Sequence, residues 1–541
     1  MDLSRFSTEK YRWWALLFLA LGLAIVIIDT TVLNVAVPYI LRDLKTSLDA
    51  IQWVISGYSL IIATLLITVG RLGDLFGRKK IFLIGIVLFM IGSYFASISQ
   101  TAVTLFVGEA LIEAIGASMM MTSSLALLVS EFEGRERAIA FGIWGSVAGA
   151  SAAFGPLLGG YLTTYFSWRW SLRINVIVGL VTILGSIFIR EAKGRSVEHF
   201  DWAGTFYSGF GLFSFVFGLI EGNRYGWFRP HEQFVLGSWV WPFTQISIIP
   251  FVFILAAILL AKFVHVEYKL EKKGHSPLLK LSMFKVKGFS IGLAALGIMA
   301  LGQFATFFVL IIFLQNVLGL NAFNAGRTFL WMSLTMFIVG PTSGFIASKV
   351  NPKYVVNVGM FILAFALFIL VRSANLTATS LSLAPALVLM GIGGGMSMTQ
   401  LTNIILSAVP TYYAGEASAV NTTVRQVGTS IGIAITGTVL TATLFTGLPL
   451  AIQNDTAIPP VTKVNFTKQL KGISIERPQI KSYKGLSPAL NTRIKKDVSG
   501  VFVQAVQRSL TASFVFVFLG AVLALFIPRV SLKPKESPEI V

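Results

Sequence analysis

Apolar residues run along this chain in blocks of about 18 to 25, the length at which an α-helix crosses the hydrocarbon core of a bilayer. About fourteen such blocks can be counted, beginning near Trp13, Ile51, Ile81, Val103, Ala138, Trp170, Trp202, Trp241, Phe289, Gly326, Val355, Ala384, Ala417 and Thr511. The pattern predicts an all-α membrane protein with about 14 transmembrane helices. The first block is too long, and too devoid of an A-x-A-like cleavage site, for a removed signal peptide, so it is expected to remain as a helix.

Composition closes off the soluble alternatives. Hydrophobic residues make up 55% of the chain, charged residues 12%, and mean hydropathy is +0.78. The formal net charge of +19 reads as topology and not as a nucleic-acid footprint. Basic clusters at Arg5, Lys10 and Arg12, at Arg71 to Lys80, at Arg135 and Arg137, at Arg190 to Arg195, and at Lys262 to Lys287 all fall on one side of a fourteen-span chain. Lys and Arg resist translocation, so that side is expected to be the cytoplasm, with both termini there. A second basic segment, about 450–508, carries Lys463, Lys468, Lys471, Lys481, Lys484, Arg493, Lys495 and Lys496 on the other side, as a long outer loop with sequons at Asn454 and Asn465. No cysteine is present, so no disulfide ties that loop down.

A faint internal repeat organises the spans. "GRLGDLFGRKK" (70–80) joins spans two and three, and "GFIASKVNPKY" (344–354) joins spans ten and eleven. The spacing implies two six-helix bundles in a pseudo-twofold relation, with two inserted central helices between them. The boundaries expected are 1–190 for the N-terminal bundle, 191–285 for the inserted helices and cytoplasmic polybasic linker, and 286–541 for the C-terminal bundle with the outer loop. Repeats of this kind are typical of secondary transporters, which bind substrate where the repeats meet.

Several motifs carry a family resemblance. "GRLGDLFGRKK" resembles the loop signature of the major facilitator superfamily, and "FGPLLGGYL" (154–162) resembles the fifth-span motif of its antiporters. "IDTTVLNVAVP" (28–38), "WRWSLRINV" (168–176), "LQNVLGL" (314–320) and "NTTVRQVGTSIGIA" (421–434) are similar to its fourteen-span drug/proton antiporter branch. The resemblance implies multidrug efflux through the bacterial cytoplasmic membrane, driven by the proton gradient with no cofactor. It also implies a conformational switch. In the loop, Gly70, Gly73 and Gly77 allow close approach and a tight turn, while Asp74 with Arg71, Arg78 and Lys79 forms a charge latch. In span five, Gly155, Pro156, Gly159 and Gly160 supply a kink and a small-residue face; the motif's second glycine is Ser151 here.

Asp29, Glu109, Glu113 and Arg173 are the ionisable residues lying well inside the predicted spans, where such residues usually mark a pathway. Glu109 and Glu113 stand one helical turn apart, and like charges in hydrocarbon favour one of them keeping its proton, as a proton carrier requires. Arg173, if close, would hold the other ionised. A static ion pair with Arg173, or snorkelling of Glu109, is the competing reading. The branch commonly has Arg and Gln where this chain has Ala110 and Glu113, so the intramembrane positive charge would have moved to Arg173. Asp29 matches the branch's first-span acid.

Candidate substrate contacts by resemblance are Asn34, Gln303, Phe307, Gln315, Asn316, Met396, Met398, Gln400 and Asn403, whose aromatic, thioether and amide groups suit bulky amphipathic molecules. Arg425 matches a motif of the branch, with Glu416 or a lipid phosphate as its expected partner. There is no Gly-x-x-x-x-Gly-Lys-Ser/Thr loop and no metal-ligand motif, so neither ATP hydrolysis, nor other enzyme chemistry, nor a metal is expected. The chain therefore reads as a monomeric proton-coupled exporter of lipophilic, cationic drugs or toxic compounds, with protons, a small amphipathic substrate and membrane lipids as partners. An exporter or flippase of an amphipathic lipid or secondary metabolite, or a non-transporting membrane sensor, are the alternatives.

Overall fold

The computed structural model describes residues 8–192, 201–236, 238–275, 277–455, 458 and 488–529. Fourteen helices are long and apolar enough to cross a membrane. Spans one to seven are Tyr11–Leu33, Ala50–Phe76, Arg78–Ser97, Ala102–Glu131, Gly134–Tyr165, Trp168–Phe188 and Trp202–Tyr225. Spans eight to fourteen are Ile249–Lys272, Lys287–Val317, Phe323–Lys349, Pro352–Ser373, Ser380–Ser407, Thr411–Asn454 and Thr492–Ala524. The end of the bundle carrying the loop between spans two and three is called the basic end below.

Three boundaries differ from the hydropathy reading. Span eight starts at Ile249 and not near Trp241, because Val235–Leu236 and Trp239–Val240 pair as a small antiparallel hairpin, Pro242 follows, and Trp241 donates its indole N–H to the Ile246 carbonyl at 2.9 Å. The last span begins far before Thr511. Ala414–Asn454 and Pro488–Ala524 are helical, so helix takes up both ends of the expected loop 450–508; apolar windows register only the part of a helix that suits hydrocarbon. Of the basic residues assigned to that loop, Arg493, Lys495 and Lys496 are helical, while Lys463 to Lys484 and Asn465 lie outside the described residues. Two π-helical segments, Val107–Glu113 and Phe313–Val317, interrupt spans four and nine and leave no mark in hydropathy.

Local sequence explains several helix starts. Thr101 with Thr104, and Thr379 with Ser382, form reciprocal capping boxes at spans four and twelve. These are the fourth span of the chain and the fourth after the inserted pair. Far from the basic end, Asp43 beyond span one accepts from Arg169 and, at 2.9 Å, from Trp168 Nε1. The Arg169 hydrogen bond, then that of Trp168, holds the Asp43 carboxyl below the usual carboxylate range. A lowered native value stabilises above the ordinary range and is lost as pH falls through it.

In lipid, helix association rests on close van der Waals contact and not on apolar burial alone, and glycine supplies the closeness. A Cβ on Gly92 of span three would stand 2.4 Å from the Glu113 backbone nitrogen, and one on Gly116 would stand 2.4 Å from that of Phe89. Spans five and ten meet in the same way: a Cβ on Gly142 would lie 2.5 Å from the Gly340 carbonyl, and one on Gly344 2.5 Å from that of Ala138. Span seven leans on span two, with Leu60 and Ala63 against Val216 and Phe217, and hydrogen-bonds span thirteen through Asn223, Trp227 and Thr438. Span eight lies outside it, presenting Ile254, Leu255 and Ile258 outward.

Gly92→Val is expected to lower the melting temperature in detergent, at a cost of about 1–3 kcal/mol from overpacking backbone against backbone. Gly500→Ala, where nothing lies within 4 Å, should not lower it. A Gly92→Val protein that melts like wild type would show that spans three and four are not so closely packed.

Candidate functional site

Asp29, Glu109 and Glu113 converge from spans one and four. Each is fully buried, and one carboxylate oxygen from each lies within 4.8 Å of the other two. The connecting group is Asn175 of span six. Its amide nitrogen donates to Asp29 Oδ1 at 2.6 Å and Glu113 Oε1 at 3.2 Å, and touches Ser93 Oγ at 2.9 Å. Ser93 in turn donates to the Leu172 carbonyl at 3.0 Å. Among the described residues, the second oxygens of all three carboxyls, and the hydroxyl of buried Tyr58 within electrostatic range of them, have no hydrogen-bond partner.

Arg173 is not in the cluster. It lies partly exposed with its guanidinium 5.4 Å from the centre of the Trp170 ring, and no ion pair links it to the acids among the described residues. Two residues along a helix is more than half a turn, so when Asn175 points inward Arg173 points away. The compensating cation of the sequence reading is thus replaced by a neutral amide. Three ionised carboxylates so close, out of water and without a cation, would be very costly, so the cluster is built to hold protons or a bound cation.

The local backbone sets this arrangement. Both glutamates sit in the π-helical segment, a form that recurs at functional sites. Gly92 lets span three lie against the backbone of Glu113 from behind. Gly155 of span five sits against Thr31 and the Ile28 carbonyl, and Gly159 against Val32, so the fifth-span glycines clasp the turn that carries Asp29. Pro156 and Gly160 instead face span ten, Pro156 beside Gly326 and Gly160 beside Phe323.

At the basic end the loop charges form two linked pairs. Arg78 bonds Asp74 at 2.9 Å, Ser130 Oγ at 2.5 Å and the Thr411 carbonyl at 3.3 Å, reaching from the N-terminal half to the start of span thirteen. Arg71 bonds Glu416 Oε1 at 2.8 Å. The other Glu416 oxygen accepts the Lys280 amide at 3.1 Å, so one carboxylate joins the loop, span thirteen and the linker after the inserted helices. Glu267 and Glu271 hold that linker through the amides of Leu279, Leu281 and Ser282. Gly70 and Gly415 make the approach possible, since a Cβ on Gly70 would be 2.6 Å from Ala419 Cβ and one on Gly415 2.3 Å from Asp74. Gly77 has φ +109°, which reserves the turn for glycine. Gly73 has only ordinary contacts, and Lys79 joins through its backbone amide to Glu191 at 3.0 Å.

The sequence profile of the Major Facilitator Superfamily matches residues 19–433. The chain belongs to the major facilitator superfamily. Relatives include the tetracenomycin C resistance and export protein of Streptomyces glaucescens, 32% identical over 79% of this chain and 76% of that protein. The puromycin resistance protein pur8 of Streptomyces alboniger is 31% identical over 85% and 87%, and the multidrug transporter protein MdtP of Bacillus subtilis 26% over 100% and 97%. Among solved structures, that of the proton:xylose symporter XylE shares the fold with a TM-score of 0.59 at 13% identity, covering 97% of this chain and 98% of that one.

The contacts proposed for substrate in this superfamily member divide into groups. Gln400 and Asn403 are buried and bonded to each other at 3.3 Å, with Gln400 also near Thr399 and Ser343. Met396 faces Gly359 of span eleven and Met398 lies in the core, so these two read as packing. Gln303 is buried beside Gly394 with its carbonyl oxygen unpartnered, and Phe307 stacks on Phe329 at 5.5 Å. Gln315 and Asn316 are exposed in the π-helical end of span nine, and the side chain of Asn34 lies outside the described residues. Sequence reasoning missed Ser93, Asn175 and Tyr58. The only signal was a polar residue facing along an otherwise apolar helix.

Arg71→Gln removes one side of a buried pair, which costs about 3–5 kcal/mol and should loosen the basic end. The natural chain has no cysteine, so Ser418→Cys gives a single buried thiol beside this contact. Its labelling by a membrane-impermeant maleimide should be slow in the parent and at least ~10-fold faster with Arg71→Gln. Equal rates would show that the Arg71–Glu416 pair does not hold this end closed.

Proposed function

We propose that this chain is a proton-coupled exporter of lipophilic compounds in the bacterial cytoplasmic membrane, working by alternating access, with its basic end in the cytoplasm and closed in this structure. The observation that carries the reading is the buried cluster of Asp29, Glu109 and Glu113, with a neutral amide bridging Asp29 and Glu113. Such a group binds and releases protons only as its surroundings open and close, which is the coupling an antiporter needs. The carboxyls also offer counter-charge to a cationic substrate. Relatives that confer antibiotic resistance support export, and the paired charges at the basic end support a gate.

Glu113 is the proton carrier in this reading and Asn175 a positioning residue. In proteoliposomes holding a pH gradient, adding ethidium or tetraphenylphosphonium should release protons with the wild type. Glu113→Gln should still bind the cation, measured by equilibrium binding, but release no protons above background. Asn175→Leu should shift the pH midpoint of release without abolishing binding. Proton release by Glu113→Gln at the wild-type rate would make the carboxyl structural, and a silent wild type across a wide panel of lipophilic compounds would overturn export.

A further inference from the structure

Arg425 stands in the first half of span thirteen, 9% exposed, and among the described residues its guanidinium has no hydrogen-bond or ion-pair partner. Neither partner expected from the sequence is available. Glu416 is taken by Arg71 and Lys280, and a group so buried does not face a lipid headgroup. Five N–H donors are thus left unmet by the described residues.

The neighbours of span thirteen show where this side chain points. Gly415 and Ala419 face span two, Thr438 faces span seven, and Val424, Gly428 and Gly432 face span nine. Ser418, Asn421 and Arg425 fall at i, i+3 and i+7 on the stripe between the span-two and span-nine faces, which looks across the seam between the halves. The stripe is polar, buried and unsatisfied: Ser418 Oγ and Asn421 Oδ1 also lack partners. Depth can be fixed from Gly70, which touches both Thr122 and Ala419. Counting from that level at 1.5 Å per residue, Glu113 lies about 13 Å and Arg425 about 9 Å farther from the basic end. The acids of one half and the arginine of the other therefore stand at similar depth.

We infer that Arg425, with Asn421 and Ser418, forms a subsite for an oxyanion on the substrate, a carboxylate or phenolate borne on a lipophilic body. The substrates that fit best are then amphipathic acids and zwitterions, whose positive or neutral part lies towards the N-terminal half. The guanidinium fork matches a carboxylate in two parallel hydrogen bonds, and low polarity around it strengthens them. The inference rests on the exporter reading for its biological meaning, but the anion subsite can be measured without transport.

Fluorescein serves as the anionic probe and ethidium as the cationic one, with detergent-purified protein for equilibrium binding and proteoliposomes for transport. Loss of a charged hydrogen-bonding partner predicts that Arg425→Gln lowers the ratio of fluorescein to ethidium affinity by roughly tenfold or more, and that Arg425→Lys recovers part of it. Fluorescein transport should fall in parallel. A ratio unchanged in Arg425→Gln, or no saturable fluorescein binding to wild type, would overturn the subsite while leaving an exporter of other compounds intact. If fluorescein binding depends on Arg425 but vesicles transport neither probe, the subsite stands and the exporter reading loses its support. Displacement of fluorescein by phosphatidylglycerol vesicles, but not by soluble aromatic carboxylates, would assign the anion to a lipid and overturn the substrate class.

Discussion

Three carboxyl groups within 4.8 Å, in a membrane interior and without a basic side chain among them, impose the constraint on which the N-terminal half is organised. Charge there must be neutralised by protons or by a cation, so the free energy of the site depends on what it has bound. The surrounding helices are fitted to that dependence. Span three approaches through Gly92, span five grips the Asp29 turn through Gly155 and Gly159, and span six supplies only a neutral amide. An arginine in place of Asn175 would pin the charges permanently. The amide leaves their protonation open to change.

The acids are linked to movement through span five, which touches both halves. One side of it packs on span one beside Asp29, and the other runs along span ten from Ala138 to Gly160. Glycine contacts are close but carry no hydrogen bonds to break, so this surface can slide at little cost. The opposite seam is built differently. Spans two and three are fastened to span thirteen at the basic end, Arg71 to Glu416 and Arg78 to the Thr411 carbonyl, contacts that exchange partners in discrete steps. If the halves move as the exporter reading requires, one seam offers close apolar contact and the other a set of charged pairs.

Much of this was legible in sequence because hydrocarbon is an unforgiving solvent. Span number followed from apolar run length, while of the loop charges expected around Asp74 the structure pairs Arg78 with it, Arg71 with Glu416, and Lys79 with Glu191 only through its backbone amide. Asp29, Glu109 and Glu113 stood out because carboxyls are rare inside spans. Partner choice was not legible. Arg173 and Asn175 sit two apart in "WRWSLRINV", and only the rotation of the helix decides that the amide enters the cluster while the arginine turns to Trp170. The π-helical turn that carries both glutamates depends on tertiary packing, and the interfacial hairpin at Trp239 was hidden in an apolar run.

The inserted pair of helices acquires a role from the same contacts. Span seven packs on span two through Leu60, Ala63, Val216 and Phe217, bonds span thirteen through Asn223, Trp227 and Thr438, and the linker after span eight is bonded to Glu416. Directional hydrogen bonds resist sliding more than apolar contact does, so the pair should travel with the C-terminal half and glide over span two. Because Glu416 divides its two oxygens between Arg71 and the Lys280 amide, release of the arginine leaves the carboxylate still held by the linker. An exporter that opened at this end would then part the pair with the carboxylate still bonded through the linker, which lowers the cost of leaving a buried charge unpaired.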